Sequence, residues 1–150
     1  MSKQEDAGLI LKLYELRREE TMRKARDWFF RDFNPESLAD FQAAMFSEHS
    51  GHLRMVLTYW DMAASLVNNG AISLEMFIDA NMEHLGVFSK IEPLLSEIRA
   101  VFSPQFLHNL EKLIDSMPNG RQMTVAQRER MKGMRAQIAA AQQAKAAQQN

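Results

Sequence analysis

His52-Leu53-Arg54-Met55-Val56-Leu57-Thr58-Tyr59-Trp60-Asp61-Met62-Ala63-Ala64-Ser65-Leu66-Val67-Asn68-Asn69 is the stretch that decides the fold. Successive residues of an α-helix turn by about 100°, so Leu53, Val56, Leu57, Trp60, Ala63, Ala64 and Val67 share one face. Met55, Tyr59, Met62 and Leu66 widen that face past half the circumference, which predicts a central helix with neighbours on most sides. The polar residues Arg54, Thr58, Asp61, Ser65 and Asn68 are left on one narrow stripe. Gly70 can adopt the left-handed conformation that ends a helix, with Ala71 and Ile72 folding back and Ser73 capping the next helix.

Helical spacing continues on both sides. Leu9, Leu13 and Leu16, then Met22, Ala25, Phe29 and Phe33, predict one helix from about Gln4 to about Phe33. The charges Arg17-Arg18-Glu19-Glu20 inside it read as i,i+4 pairs on a solvated face. Asn34-Pro35 is a start signal for a shorter helix with Leu38, Phe41 and Met45 inward, ending in Ser47-Glu48-His49-Ser50-Gly51. From Leu74, the positions Ile78, Met82, Leu85, Phe88, Ile91, Leu95, Ile98 and Phe102 fit one long helix kinked near Pro93, and two shorter helices fit them as well. Ser103-Pro104 restarts the chain with Phe106, Leu110, Leu113 and Met117 inward, up to the break at Met117-Pro118-Asn119-Gly120. No stretch alternates with period two. The expected fold is all-α: a compact bundle of about five helices over residues 1–120, followed by a basic, Ala/Gln-rich helical tail over 121–150. In that tail, Thr124 with Gln127 fits a capping box, and Met131, Met134 and Ile138 form a thin apolar seam at coiled-coil spacing.

A chain of 150 residues with 46% hydrophobic and 25% charged residues has the makings of one globular domain. It contains no cysteine, which rules out disulfides, thiolate metal sites and a cysteine nucleophile. The acidic start Glu5-Asp6 and the short run Leu9-Ile10-Leu11 do not resemble a signal peptide, and no run approaches the ~20 apolar residues of a membrane helix, so a cytoplasmic protein is expected. Charge is unevenly spread. Residues 1–120 hold 12 Lys/Arg against 18 Asp/Glu, and residues 121–150 hold six against one. A basic tail of this kind suits its own body, a second subunit or another anionic partner.

No residue set points to catalysis, a cofactor or a metal. Diiron bundles draw on Glu-x-x-His turns, but Phe46, His49, Asn81 and Gln105 stand three residues before His49, His52, His84 and His108. His49 and His52 straddle Gly51 in an expected loop, Asp79 and Glu83 are simply one helical turn apart, and phosphate loops, nucleophile elbows and His-Glu-x-x-His helices are absent. The stripe Arg54, Thr58, Asp61, Ser65 and Asn68 is the best candidate for a polar site. Its simplest form is a water-facing edge with a hydrogen-bond chain from Arg54 through Thr58 to Asp61. Were another helix to cover it, a small-molecule site or an enzyme built on Arg54 and Asp61 would be the alternative. Tyr59 and Trp60 read as core aromatics. The tail cations Arg121, Arg128, Arg130, Lys132, Arg135 and Lys145 lack interleaved aromatics and follow an acidic body, which allows nucleic acid a weak, salt-sensitive association at most. Without Trp or Phe in the tail, contact with a membrane surface would also be weak.

The run from Tyr59-Trp60-Asp61 to Asn69-Gly70-Ala71-Ile72-Ser73 resembles a pattern in uncharacterised helical bacterial proteins, where an aromatic-acidic pair opens a helix that ends in a Gly-x-Ile turn. The resemblance spans about the middle third of the chain. It implies a helical fold and assigns no activity, ligand or catalytic residue; such proteins often carry a membrane helix first. Together these readings predict a non-catalytic interaction or scaffold protein, self-associating through the seam at Met131, Met134 and Ile138, whose body folds without residues 121–150.

Overall fold

Charge breaks the first expected helix in two. In the computed structural model, which describes residues 2–150, α1 (Lys3–Arg17) ends where Glu19 turns its carboxylate onto the Thr21 and Met22 N–H groups and caps α2 (Glu20–Arg31). Those backbone N–H groups hold the Glu19 carboxyl below its ordinary pKa. A capping acid stabilises a helix start more than an exposed ion pair stabilises a helix middle, which is why the cluster is a break and not a solvated face. The second start signal also moves. Ser37, not Asn34, caps α3 (Leu38–Met45), accepting from the Asp40 N–H.

The decisive stretch is α4 (Ser50–Asn68), and the seven residues of its predicted apolar face are all buried. It packs against α2, α3, α5, α6 and α8. Its end follows from Gly70, whose φ of +81° lets the Ala71 N–H reach back to the Leu66 carbonyl at 2.8 Å and places Ile72 in the core. Ser73 caps α5 (Leu74–Ala80), and its own N–H donates to Asp6 of α1.

The region after Leu74 is neither one kinked helix nor two. It forms α5, α6 (Glu83–Ile91), a 3-10 turn at Glu92–Leu94 that contains Pro93, and α7 (Leu95–Val101). Residues 84–91 of α6 are all buried, because α4 and α8 lie on one side of the helix and a C-terminal helix covers the other. Turns then lead to α8 (His108–Ser116), so the helix expected at Pro104 starts four residues later. With α9 (Gly120–Gln148) the described residues form nine α-helices and no strand, more and shorter elements than the expected five or so with a tail helix.

The division expected at residue 120 falls inside a packed element. Gly120 is buried, and a Cβ there would overlap the Ile114 carbonyl oxygen. Thr124 is no cap: it lies a turn inside α9, buried, with its hydroxyl donating to the Gly120 carbonyl. Arg121 pairs with Glu92, Glu111 and Asp115 while lying over the Phe88 ring, and Arg128 donates to the Ser89 carbonyl and to Glu92. The exposed arm starts later, and residues 132–150 are exposed without exception.

Candidate functional site

At Asp61 and Asn68 the polar stripe of α4 docks α8. Leu107, at φ 52°, starts α8 without any side-chain cap from its own segment. Asp61 supplies it from α4: Oδ1 accepts the Leu110 N–H at 2.9 Å and Oδ2 accepts from Asn109 Nδ2 at 3.2 Å. Asn68 donates in turn to the Asn109 carbonyl. The carboxylate thus satisfies a free helix-start N–H and meets the positive end of the helix dipole. The expected chain from Arg54 through Thr58 to Asp61 does not form. Arg54, Thr58 and Ser65 each donate to a carbonyl of their own helix, of Ser50, Arg54 and Met62 respectively. Beside Asp61 lies only an open hollow bounded by Leu57, Met62 and Phe106. Replacing Asp61 by alanine is expected to lower stability by about 1–2 kcal/mol in urea unfolding. A loss below ~0.3 kcal/mol would show that water caps α8 equally well.

His49, His52 and His84 pack against aromatic rings. His49 stacks on Trp28 at 5.0 Å between ring centroids, with His52 beside it. His84 is fully buried between Trp60 and Phe77, its Nε2 3.3 Å from Met117 Sδ and its Nδ1 without a partner. Burial pushes its pKa down to about 4. An unfolded histidine titrates near 6.5, so the unfolded chain binds the extra proton first, and folding loses stability as the pH falls from about 6.5 towards 4. The full loss is roughly 3 kcal/mol. Chemical denaturation across that range should show a decline in the intact protein that is shallower in His84→Phe; equal slopes would place the titrating groups elsewhere.

Lys90 is a buried cation whose ammonium donates to the carbonyls of Phe29, Phe30 and Phe33 and to Asn34 Oδ1. It caps the C-terminus of α2, where carbonyls lack intrahelical donors. Desolvation, reinforced by Arg135, lowers its pKa to about 8. Asn34, expected to start a helix, instead helps to hold this charge.

Along α9 the structure brings the predicted seam together. Met131 is half-buried, whereas Met134 and Ile138 are 60% and 54% exposed. With Phe30 and Arg31 of α2 they line an open groove of about 410 Å³.

A second feature was not visible in the sequence. Between α1, α4 and α5 lies a cleft of about 210 Å³ walled by Leu13, Tyr14, Tyr59, Trp60 and Phe77. Arg17 closes one side. Its Nη1 donates to Glu83 at 3.2 Å, and Arg26 Nε donates to the same carboxylate at 2.7 Å. The Tyr59 hydroxyl donates to the Leu13 carbonyl, and burial raises its pKa to about 12. Trp60 Nε1 and Asn81 Oδ1, from two wall residues, are buried without partners, a condition that typically costs about 1–3 kcal/mol per group. The signal lay in Arg17-Arg18-Glu19-Glu20 and Tyr59-Trp60, read there as solvated charge and plain core.

Fold and surface define an all-helical domain in which no group of three or more acids and histidines could hold a metal ion, and no helix is long and apolar enough to cross a membrane, among the described residues. The chain belongs to the family described as Domain of unknown function (DUF4760), which matches residues 3–117. That match covers α1 to α8 and leaves α9 outside it. No curated protein and no solved structure matches the chain.

Proposed function

We propose that this protein is a non-catalytic, cytoplasmic interaction module that pairs with a second copy of itself through the α9 arm. The observation that carries the reading is the arm itself: residues 132–150 are exposed at every position, yet Met134 and Ile138 continue an apolar groove that begins at Phe30. A single helix of that length with so narrow a seam gains little from folding alone, and a partner on the seam supplies what it lacks.

Charge selects the partner. The arm carries Lys132, Arg135 and Lys145 and no acid, so a second arm entering the groove, which is itself lined by Arg31 and Arg135, needs acids nearby to offset the like charges. Asp32, next in the chain to Arg31 of the groove wall, and Glu36 and Asp40 are exposed on the α2–α3 connection and the start of α3, and Glu36 lines an adjoining hollow with Met131, Lys132 and Arg135 of its own arm. A two-fold dimer in which each arm lies along the other copy's groove sets the basic arm against these acids twice, and buries Met134 and Ile138 twice. The absence of cysteine fits a reducing compartment. The alternative site at Arg54 and Asp61 loses its support, since α8 already satisfies Asp61.

Light scattering on the intact chain and on a form ending at Met131 tests the proposal. The intact chain should be dimeric at low salt and shift towards monomer at high salt, and the shortened form should be monomeric throughout. An intact chain that is monomeric at every concentration would overturn it.

A further inference from the structure

We propose that the cleft between α1, α4 and α5 binds a small aromatic carboxylate, with the ring among Tyr14, Trp60 and Phe77 and the carboxylate on Arg17. This site is independent of the α9 arm, which lies on other elements.

Size is the first argument. The cleft measures about 210 Å³, and an apolar cavity of roughly 150 Å³ is enough to take up benzene. A single ring with a short side chain therefore fits, whereas a folded partner does not. Lining is the second. Tyr14 and Leu11 are exposed at the rim, 47% and 66%, and deeper in the wall Trp60 stands against Tyr59 and Phe77 in edge-to-face contacts. Such walls favour an aromatic ring over an alkyl chain, because ring edges and faces can be matched.

Charge is the third argument, and it sets the ligand's sign. Arg17 and Arg26 share the one carboxylate of Glu83, so the cluster keeps a net charge of +1. Arg17 donates to protein through Nη1 alone, and its guanidinium lies over both the Tyr14 and Trp60 rings. Its remaining N–H groups are therefore available at the edge of the aromatic wall, in the fork geometry that suits a carboxylate. The unpartnered Trp60 Nε1 in the same wall is a further N–H donor that this fold leaves unused.

The probe is 3-phenylpropionate, titrated into the intact ¹⁵N-labelled protein and compared with 3-phenyl-1-propanol, its neutral counterpart, and with hexanoate. So small a ligand should bind in the millimolar range. It should shift the Trp60 indole signal and leave that of Trp28 in place, with the alcohol and hexanoate each about tenfold weaker. Arg17→Gln should bring acid and alcohol to equal affinity. Because Arg17→Gln also loosens Glu83, a second variant carries the test: Ala80→Phe, at an exposed position on the cleft wall, should keep the fold and abolish binding. Failure to saturate at about 10 mM ligand, shifts centred on Trp28, equal affinity for acid and alcohol in the intact protein, or undiminished binding by a folded Ala80→Phe protein would each overturn the proposal.

Discussion

Replacing Trp60 by alanine is expected to remove about 3–5 kcal/mol of stability, the range for loss of a large buried aromatic. Trp60 is only 2% exposed and touches Tyr59, Phe77 and His84 from the middle of α4, with Arg17 over its ring. One change thus opens a cavity where α1, α4, α5 and α6 meet. No disulfide exists to limit the damage. Domains of this size have about 5–15 kcal/mol in all, so the variant should unfold at much lower urea or lose its cooperative transition. A loss under ~1 kcal/mol would mean that the cleft beside Trp60 collapses at almost no cost.

The second large effect concerns where α9 is cut. A chain ending at residue 120 loses Arg121, Thr124 and Arg128, and with them the cover over α6. Phe88, now fully buried, would meet water, and Glu92 and Glu111 would lose cations they share at 2.8–3.2 Å. Water screens such partly exposed pairs, so their loss costs on the order of 1–2 kcal/mol, and the exposed apolar surface of α6 adds the larger share. This form should unfold without a sharp transition. At high salt, where the intact protein shifts towards monomer as well, a chain ending at Met131 should stay within ~1 kcal/mol of it, since everything it lacks is solvent-exposed. Equal stability of the two shortened forms would contradict the packing of the first turns of α9.

What the sequence made legible follows from what periodicity encodes. Burial on one helix face repeats in the residues themselves, so α4 and its Gly70 terminator could be read directly. Partner choice does not repeat. Glu19 as a cap, Asn34 as a ligand of Lys90, and Asp61 as the cap of another helix all depend on residues up to 56 positions away, and each side chain has an equally good local reading. The same limit hid the aromatic cleft. Tyr14, Tyr59 and Phe77 come from three helices, and Arg17 from a cluster whose local pairing looked complete.

A charge exchange tests the self-association account most directly. One chain carries Lys132→Glu and Arg135→Glu in the arm, and another carries Asp32→Lys and Glu36→Lys beside the groove. Alone, each sets like charges against each other in both halves of the two-fold dimer, and sedimentation velocity should show monomers. Mixed, they restore opposite charges in both halves, and a dimer should return. Dimers in both separate samples, or monomers in the mixture as well as the separate samples, would contradict it.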